Sequence, residues 1–155
     1  MSVSVQRESF DVGAEITQLT ALSRGVGAVA SFVGLVRDLH ATGDGVASIS
    51  AMTLEHYPGM TENALEEIVA EAKRRWKLLG VRVIHRYGRL EPGDPIVLVI
   101  ATSAHRGDAF AGCEFIMDFL KTRAPFWKKE ETDSGERWVD ARDEDETAAA
   151  RWAGR

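Results

Sequence analysis

The run from Pro95 to Ser103 constrains the fold of this 155-residue chain more than any other segment. Most of its side chains are β-branched, and β-branched residues favour strands. No polar residue interrupts the run before Thr102, which is typical of a buried strand. Residues Asp108 to Arg123 then repeat at helical spacing and place four apolar side chains on one face: Phe110, Cys113, Met117 and Leu120. The sequence therefore predicts a buried strand that leads directly into a long helix.

Two further helices are predicted. The stronger one spans Met60 to Lys77, begins at the candidate N-cap Thr61 and has Glu62 in its first turn, where the helix dipole favours an anion. Its apolar stripe consists of Leu65, Ile68, Val69, Ala72 and Trp76. The weaker helix is short and covers Val12 to Ser23.

Strands interleave with these helices without strict strand–helix–strand repeats. Residues Gly27 to Val36 predict a second buried strand, Asp38 to Gly45 predict a loop, and the acidic tail from about Asp143 is expected to be partly ordered only by a partner. Further strands are predicted at Val3 to Phe10, Val46 to His56, Val81 to Tyr87 and Glu136 to Ala141. We predict one α+β domain over residues 1–155, with two main helices on a mostly antiparallel sheet.

Composition narrows the possible functions. Apolar residues make up 45% and charged residues 28%, the balance of an ordinary soluble globular protein. No apolar run approaches the roughly 20 residues that span a bilayer, and the N-terminus lacks the pattern of a signal peptide. We therefore expect a cytoplasmic protein without membrane contact. The net charge of −5 argues against nucleic acid as a partner.

The thiol and imidazole groups do not form a metal-binding pattern. Cys113 is the only cysteine, which excludes an internal disulfide, and the four histidines lack ligand spacing. We expect no metal site and no bound cofactor. Cys113 also falls on the apolar face of its helix, whereas a sulfur-carrying cysteine should be exposed among positive charges. We interpret Cys113 as a core residue rather than a reactive thiol.

Two segments carry cationic groups that could bind a small anion. Ser103-Ala104-His105-Arg106 lies where a strand meets a helix N-terminus, which offers free backbone N–H groups, and Arg106 adds a guanidinium suited to phosphate. Lys121 to Lys129 combines basic residues with the apolar Pro125-Phe126-Trp127, and apolar walls lower the pKa of a lysine. Both segments also fit a plainer interpretation, a solvated corner and a solvated basic face. Arg37, at the end of a strand, is likewise a binding candidate or simply exposed.

These stretches together resemble the large, catalytic subunit family of molybdopterin synthase. The longest matching motifs are Leu54-Glu55-His56-Tyr57-Pro58-Gly59-Met60 and Lys121-Thr122-Arg123-Ala124-Pro125-Phe126-Trp127-Lys128. Shorter ones are Ala28 to Gly34 with Val36-Arg37, Val83-Ile84-His85-Arg86, Pro92-Gly93-Asp94, Ser103 to Arg106, Phe115 to Asp118, and Arg137-Trp138-Val139 with Ala141-Arg142. The resemblance covers the chain from about Val26 to Arg142.

The resemblance implies a fold, partners and a reaction. The fold would be of the α/β hammerhead type with an added small antiparallel sheet. The large subunit would form a homodimer within a heterotetramer, flanked by two small ubiquitin-like subunits that end in a Gly-Gly thiocarboxylate. The enzyme would be a sulfurtransferase of molybdenum cofactor biosynthesis. It would move two sulfur atoms to cyclic pyranopterin monophosphate and so make the dithiolene of molybdopterin.

The resemblance also implies roles for particular residues. Lys121 and Lys128 match the two lysines tied to catalysis. The matched substrate-binding positions are Arg37, His105, Arg106 and Arg142, and we place the adjoining Lys129 with them. One residue departs from the family: Leu35 stands where a lysine is common. That departure removes one cation from the expected phosphate or pterin contacts.

Two other functions are less compatible with the sequence. A non-catalytic scaffold that only binds a ubiquitin-like partner would not need the intact basic motifs around His105 and Lys121. A phosphoesterase that uses His105 would need a second carboxylate or a metal cluster near that residue, and the sequence shows neither. Binding of the labelled pterin precursor would separate the enzyme from the scaffold.

Overall fold

The computed structural model describes residues 2–42, 45–133, 135–139 and 143–153. Its strands are β1 (Val3–Gln6), β2 (Ala28–Leu35), β3 (Leu39–Thr42), β4 (Gly45–His56), β5 (Leu78–Arg86), β6 (Gly88–Leu90), β7 (Pro95–Ser103), β8 (Phe126–Thr132) and β9 (Gly135–Val139). Its helices are α1 (Val12–Thr20), α2 (Met60–Arg75), α3 (Arg106–Arg123) and α4 (Asp143–Ala150). The predicted α+β class is confirmed. None of the helices in these ranges is long and apolar enough to cross a membrane.

The first sheet is built around β7. Its strand order is β1-β5-β7-β2, and β7 is antiparallel to both neighbours, while β1 runs parallel to β5. Val97, Val99 and Ala101 pack in the core that includes α2 and α3, whereas Leu98 and Ile100 face the cluster around α1. Because helices cover both faces of the sheet, the side chains on both faces of β7 are buried and can be apolar. This explains the unbroken apolar run. The predicted bounds Pro95–Ser103 are confirmed.

The second sheet contains strands β3-β4-β8-β9, and β6 also pairs with β4. Strand β8 is antiparallel to β4, with Leu54 opposite Lys128 and His56 opposite Phe126. The predicted loop from Asp38 to Gly45 is wrong in part, because Leu39–Thr42 pairs with the start of β4. Backbone hydrogen bonds to a neighbouring strand outweighed the loop preference of this polar, glycine-containing segment.

The start of α2 differs from the predicted cap. The N-cap is Gly59, and its N–H donates to the Glu62 carboxylate at 3.2 Å. Thr61 is instead fully buried; its hydroxyl donates to the Pro125 carbonyl oxygen at 3.0 Å and accepts from the Tyr57 N–H at 3.1 Å. The prediction of Thr61 as N-cap is therefore wrong. The hydroxyl ties the chain just before β8 to the start of α2.

Strand β2 is an edge strand, and the prediction that it is buried is wrong. Val29, Phe32 and Leu35 are 39%, 42% and 54% exposed, and within the part of the chain that the structure describes β2 pairs only with β7. Gly34 is needed for this pairing, because a Cβ there would lie 2.8 Å from Cγ1 of Val97. Val29 and Leu35 lie on one face of the strand and Phe32 on the other, so both faces of this edge strand are partly open to solvent.

Helix α3 buries a wide face, with one exception to the prediction. Cys113, Met117 and Leu120 are buried as expected, but Phe110 is 64% exposed. The buried stripe passes instead through Ala109, one residue earlier, because the positions 109, 113, 116 and 120 follow the helical repeat. Phe110 is therefore a surface residue on the outer side of α3.

The acidic tail is ordered by its own chain rather than by a partner, contrary to the prediction. It includes α4, after which Trp152 is buried and packs edge-on against the rings of Trp76 and Phe115. The Trp152 Nε1–H donates to the Asp118 carboxylate at 2.6 Å. The Trp152 carbonyl oxygen accepts from Arg75 at 2.9 Å. Trp152 supplies the buried apolar surface that the acidic residues before it lack.

Candidate active site

A cleft of about 540 Å³ lies where the two sheets meet the C-terminal end of α3. Three of the predicted cations line it: Arg37 just after β2, Lys121 in the last turns of α3, and Lys128 on β8. Apolar side chains form much of the remaining wall, including Val33, Leu35, Met52, Leu54, Ile96, Val97, Leu120 and Phe126. Cations from three separate stretches of sequence therefore share one partly apolar cleft, which suits a small anionic ligand with a ring.

The chain turn between α3 and β8 brings the two lysines together. Pro125 ends the helix, and the Thr61 hydroxyl holds the Pro125 carbonyl oxygen in place. Alternation along β8 then directs Phe126 and Lys128 into the cleft. Lys121 and Lys128 therefore line the same cleft although seven positions separate them in the sequence.

Lys129 is not among the residues that line this cleft. Its ammonium lies 3.4 Å from the Glu136 carboxylate and 5.7 Å from the centre of the Trp138 ring. Neighbouring residues of a strand point to opposite faces, and Lys128 occupies the cleft side. The structure thus separates Lys129 from the other cations of its segment.

Glu130 is a cleft residue that the sequence analysis did not single out. Its side chain is buried, and its carboxylate accepts hydrogen bonds from Nε and Nη2 of Arg137 at 3.2 and 3.0 Å. A buried carboxylate needs such a partner, because an unpaired charge away from water is costly. Its position two residues after Lys128 places it on the same face of β8, and strand alternation was the available signal.

His85 is a second cleft residue that the sequence analysis did not consider for chemistry. The imidazole is buried, stacks on Phe126 with ring centres 3.7 Å apart, and donates from Nδ1 to the Arg86 carbonyl oxygen at 2.8 Å. The pKa of His85 is lowered to about 3, mainly by burial and to a smaller extent by the charges of Lys121 and His56, whereas the hydrogen bond to Arg86 acts in the opposite direction. His85 is therefore a neutral ring on the cleft wall.

The neutrality of His85 predicts acid sensitivity. In the unfolded chain this imidazole takes up a proton below its ordinary pKa of 6.5, whereas the folded chain keeps it neutral down to about 3. The free energy of unfolding should therefore fall as the pH drops below 6.5, by up to about 1.4 kcal/mol per pH unit from this group. Urea unfolding at several pH values should show a smaller fall for His85→Gln than for the wild-type protein. Parallel curves for the two proteins would contradict this.

His105 and Arg106 lie at the opposite end of α3 from Lys121. Both are exposed, and neither lines the cleft. At 1.5 Å per residue, the 15 positions from Arg106 to Lys121 extend about 22 Å. Arg142 lies outside the described residues. Within one protomer, therefore, the structure gathers Arg37, Lys121 and Lys128 but leaves His105 and Arg106 apart from them.

Cys113 is buried and lacks the properties of a reactive thiol. Its sulfur lies 3.8 Å from the Val99 carbonyl oxygen, and burial raises its pKa to about 11, with a smaller contribution from Glu114. Among the residues that the structure describes, no group of three or more His, Cys, Asp or Glu side chains is arranged to hold a metal ion. The site must therefore be understood from its cations and its shape.

The high pKa of Cys113 predicts that the folded protein resists thiol reagents. At pH 8 the thiol is protonated and covered, so iodoacetamide should modify it at least about 100-fold more slowly than in the urea-unfolded chain. Mass spectrometry over time measures both rates. Rapid labelling of the native protein would instead show an accessible, ionised thiol.

Comparison with known proteins identifies the family. Residues 5–123 match the sequence profile described as MoaE protein. The chain belongs to the MoaE protein family. A relative from Ralstonia nicotianae, named molybdopterin synthase catalytic subunit, is 59% identical over 97% of this chain and 84% of its own. A relative of the same name from Pseudomonas aeruginosa is 56% identical over 98% of this chain and 99% of its own.

Solved structures agree with this family assignment. The MoaE protein from Burkholderia ambifaria superposes with a TM-score of 0.83 and 55% sequence identity, over 99% of both chains. The resemblance implied by the motifs around Leu54 and Lys121 is thereby confirmed, and with it the α+β arrangement. The similarity extends over the C-terminal region beyond residue 123, where the profile match ends.

Proposed function

We propose that this chain is the catalytic subunit of a molybdopterin synthase. It transfers sulfur from the C-terminal thiocarboxylate of a small ubiquitin-like subunit to cyclic pyranopterin monophosphate. The observation that carries the proposal is the cleft in which Arg37, Lys121 and Lys128 meet. Its volume suits a pterin-sized ligand, its cations suit a phosphate and a thiocarboxylate, and its apolar walls suit a flat ring. The relatives' name, catalytic subunit, supports a second subunit as partner.

The chemistry needs charge stabilisation at the acyl carbon. The thiocarboxylate sulfur attacks a carbon of the pterin side chain, which forms a carbon–sulfur bond and leaves an acyl–sulfur link to the small subunit. Water then hydrolyses this link, so that the small subunit leaves with a carboxylate and the pterin keeps the sulfur. At the first carbon the bond to a cyclic-phosphate oxygen breaks, so that the ring opens and the phosphate remains on the side chain as a monoester. A second small subunit supplies the second sulfur to the neighbouring carbon, from which the oxygen leaves as water.

Each lysine is assigned a step. Lys121, in the last turns of α3, neutralises the thiocarboxylate and then the oxyanion that forms during hydrolysis. Lys128 faces it from β8, balances the substrate charge and transfers protons. Apolar neighbours such as Leu120 and Phe126 line the cleft beside the amines, so a bound substrate would displace water there and strengthen these charge interactions.

The remaining cations would hold the phosphate and orient the ring. Arg37 can do so from within the cleft. His105 and Arg106 cannot reach the same small ligand from about 22 Å away along α3. We therefore propose that the second large subunit of a homodimer brings its own His105 and Arg106 to this cleft. Arg142 is assigned to substrate binding by resemblance alone, and Lys129, which does not line the cleft, only by its position beside Lys128.

Reconstitution tests the proposed function. The chain is mixed with a thiocarboxylated small subunit and cyclic pyranopterin monophosphate, and mass spectrometry follows the pterin. The proposal predicts a product that has gained two sulfur atoms, and a small subunit returned with a carboxylate. A complex that assembles and binds the pterin without forming this product would show that the chain is only a scaffold.

Because Leu35 is uncharged, we expect a weaker contact to the anionic substrate than a lysine at this position would make. It lines the cleft two residues before Arg37 and is 54% exposed, so a longer cationic side chain can be accommodated there. Leu35→Lys is expected to lower KM for the pterin phosphate about two- to fivefold, the effect of a solvent-accessible ion pair of 0.5–1 kcal/mol. Steady-state kinetics at two salt concentrations measure it, because the gain should shrink as salt rises. Leu35→Met is the neutral control, and an equal change in both variants would rule out the charge effect.

A further inference from the structure

We propose that Thr61 is a positioning residue for the two lysines of the cleft: its buried hydroxyl holds the turn that joins Lys121 to Lys128. The role in catalysis rests on the proposed function, whereas the hold on the turn does not. Thr61 directly follows one of the two longest matching motifs, Leu54 to Met60, which contributes none of the proposed catalytic groups. The proposal gives the corner formed by this motif and Thr61 a function.

Both hydrogen-bonding functions of the Thr61 hydroxyl are in use. The residue is fully buried, and its Oγ1 lies 3.0 Å from the Pro125 carbonyl oxygen and 3.1 Å from the Tyr57 nitrogen. A backbone N–H can only donate and a carbonyl oxygen can only accept, so the hydroxyl proton must point at Pro125. A methyl group in place of the hydroxyl would therefore remove this donor without changing the shape of the side chain.

The turn at Pro125 controls the direction in which β8 leaves α3. The proline ring fixes φ, so the following peptide group can turn only about ψ. The Phe126 N–H donates to the Ala124 carbonyl oxygen at 2.9 Å across the turn, and the Thr61 hydroxyl holds the Pro125 carbonyl oxygen from outside it. One lysine lies four residues before Pro125 and the other three residues after it. A rotation of this peptide group would therefore redirect the start of β8 relative to the end of α3.

The same corner also contacts β8 beyond the turn. Strand β4 ends beside the start of β8, with Glu55 opposite Trp127. The Tyr57 ring packs edge-on against the Trp127 ring, with ring centres 4.6 Å apart. The Thr61 N–H donates to the Tyr57 carbonyl oxygen at 2.9 Å, which ties the two contacts of the corner together. Among these contacts, the Thr61 hydroxyl is the one that reaches the turn itself.

The chemical step depends on this geometry more strictly than binding does. The attraction between a cation and an anion changes slowly with distance, whereas stabilisation of a transition state needs the charged groups in a precise arrangement. A turn that can rotate should therefore lower kcat, while KM for the pterin phosphate changes little. A loss of stability alone would alter neither constant below the unfolding temperature.

Three substitutions separate positioning from packing. Thr61→Val keeps the shape and removes the hydroxyl, whereas Thr61→Ser keeps the hydroxyl and removes a methyl group. Thr102→Val is the matched control, because Thr102 is also buried, donates to the Gly80 carbonyl oxygen at 3.4 Å and does not line the cleft. A packing role predicts that Thr61→Ser is the more harmful change at this position. The positioning role predicts that Thr61→Val is, and that Thr102→Val leaves kcat unchanged.

The test combines kinetics with a distance measurement that needs no turnover. A series of amine-specific cross-linkers of increasing length is applied to the complete chain, and peptide mass spectrometry identifies the shortest one that joins Lys121 to Lys128. Thr61→Val should change this shortest length and lower kcat roughly 10- to 100-fold, while Thr61→Ser and Thr102→Val keep the wild-type values.

The outcomes distinguish this proposal from the proposed function. An unchanged cross-linking pattern in Thr61→Val, or an unchanged kcat of this variant in an active enzyme, would overturn the positioning role. A changed pattern in Thr61→Val, together with a wild-type chain that makes no product, would overturn only the proposed function.

A second measurement needs no substitution. In the wild-type protein the Thr61 hydroxyl proton should be visible by nuclear magnetic resonance, because burial and the hydrogen bond to Pro125 slow its exchange with water. The hydroxyl proton of the exposed Thr17 should exchange too fast to be seen. A Thr61 hydroxyl proton that exchanges as fast as that of Thr17 would overturn the proposal even if Thr61→Val did not fold.

Discussion

Lys121→Ala should lower kcat for sulfur transfer about 100-fold or more, because it removes the cation proposed to stabilise the oxyanion in a partly apolar cleft. The loss of a single preorganised donor at such a position typically costs roughly 3–4 kcal/mol of transition-state stabilisation. Lys121 lies near the end of α3, where alanine is compatible with the helix, so the fold should survive. The rate is measured with saturating small subunit and pterin, by mass spectrometry of the product.

The control for this variant is Lys73→Ala. Lys73 is also a helical lysine, is exposed on α2 and does not line the cleft. It should transfer sulfur at the wild-type rate. Gel filtration with the small subunit should show that both variants still assemble. A Lys121→Ala complex that assembles and works at the wild-type rate would remove Lys121 from the mechanism.

A mixture of two inactive variants should recover activity if the site is shared between large subunits. Lys121→Ala abolishes the amine, and Arg106→Ala abolishes the phosphate contact that we assign to the other protomer. In a two-fold symmetric dimer, one mixed pair contains one site with both residues intact. Random exchange makes half of the dimers mixed, so the mixture should reach roughly a quarter of the wild-type activity.

The matched control mixes Lys121→Ala with Lys128→Ala. Both side chains line the cleft of one protomer, so no mixed dimer restores a complete site and activity should stay at the level of the single variants. Recovery in this control but not with Arg106→Ala would contradict the shared site. The activity of each mixture is compared with that of the two proteins assayed separately.

The central strand and the main helices could be predicted because local chemistry decides them. Pro95 to Ser103 has strand-forming residues without interruption, and α3 follows from the repeat that buries Cys113, Met117 and Leu120. Strand β8 was not predicted, because Lys-Lys-Glu-Glu-Thr is polar and becomes a strand only by pairing with β4, more than 70 residues earlier. The buried role of Thr61 depends on the same long-range contact, its hydrogen bond to Pro125.

The sequence predicted the residues of the candidate site better than it predicted their positions in space. Arg37, Lys121 and Lys128 come together as the motifs implied, whereas His105 and Arg106 occupy the far end of α3. Helix length is the physical reason: one rigid helix carries both motifs at its two ends. His85 was missed because its burial involves a stack on Phe126 from a distant strand, and Glu130 was missed because β8 itself was not predicted.

A zero-length cross-link tests most directly whether the tail of a sulfur donor enters this cleft. The small subunit in its carboxylate form is bound to the chain and activated with a carbodiimide, which joins its C-terminal glycine to the nearest amine. We expect peptide mass spectrometry to find one isopeptide bond, at Lys121 or Lys128. This bond should be lost when excess pterin substrate is present, and also when both lysines are replaced by arginine. Cross-links confined to lysines outside the cleft, such as Lys73 or Lys77, would contradict the account.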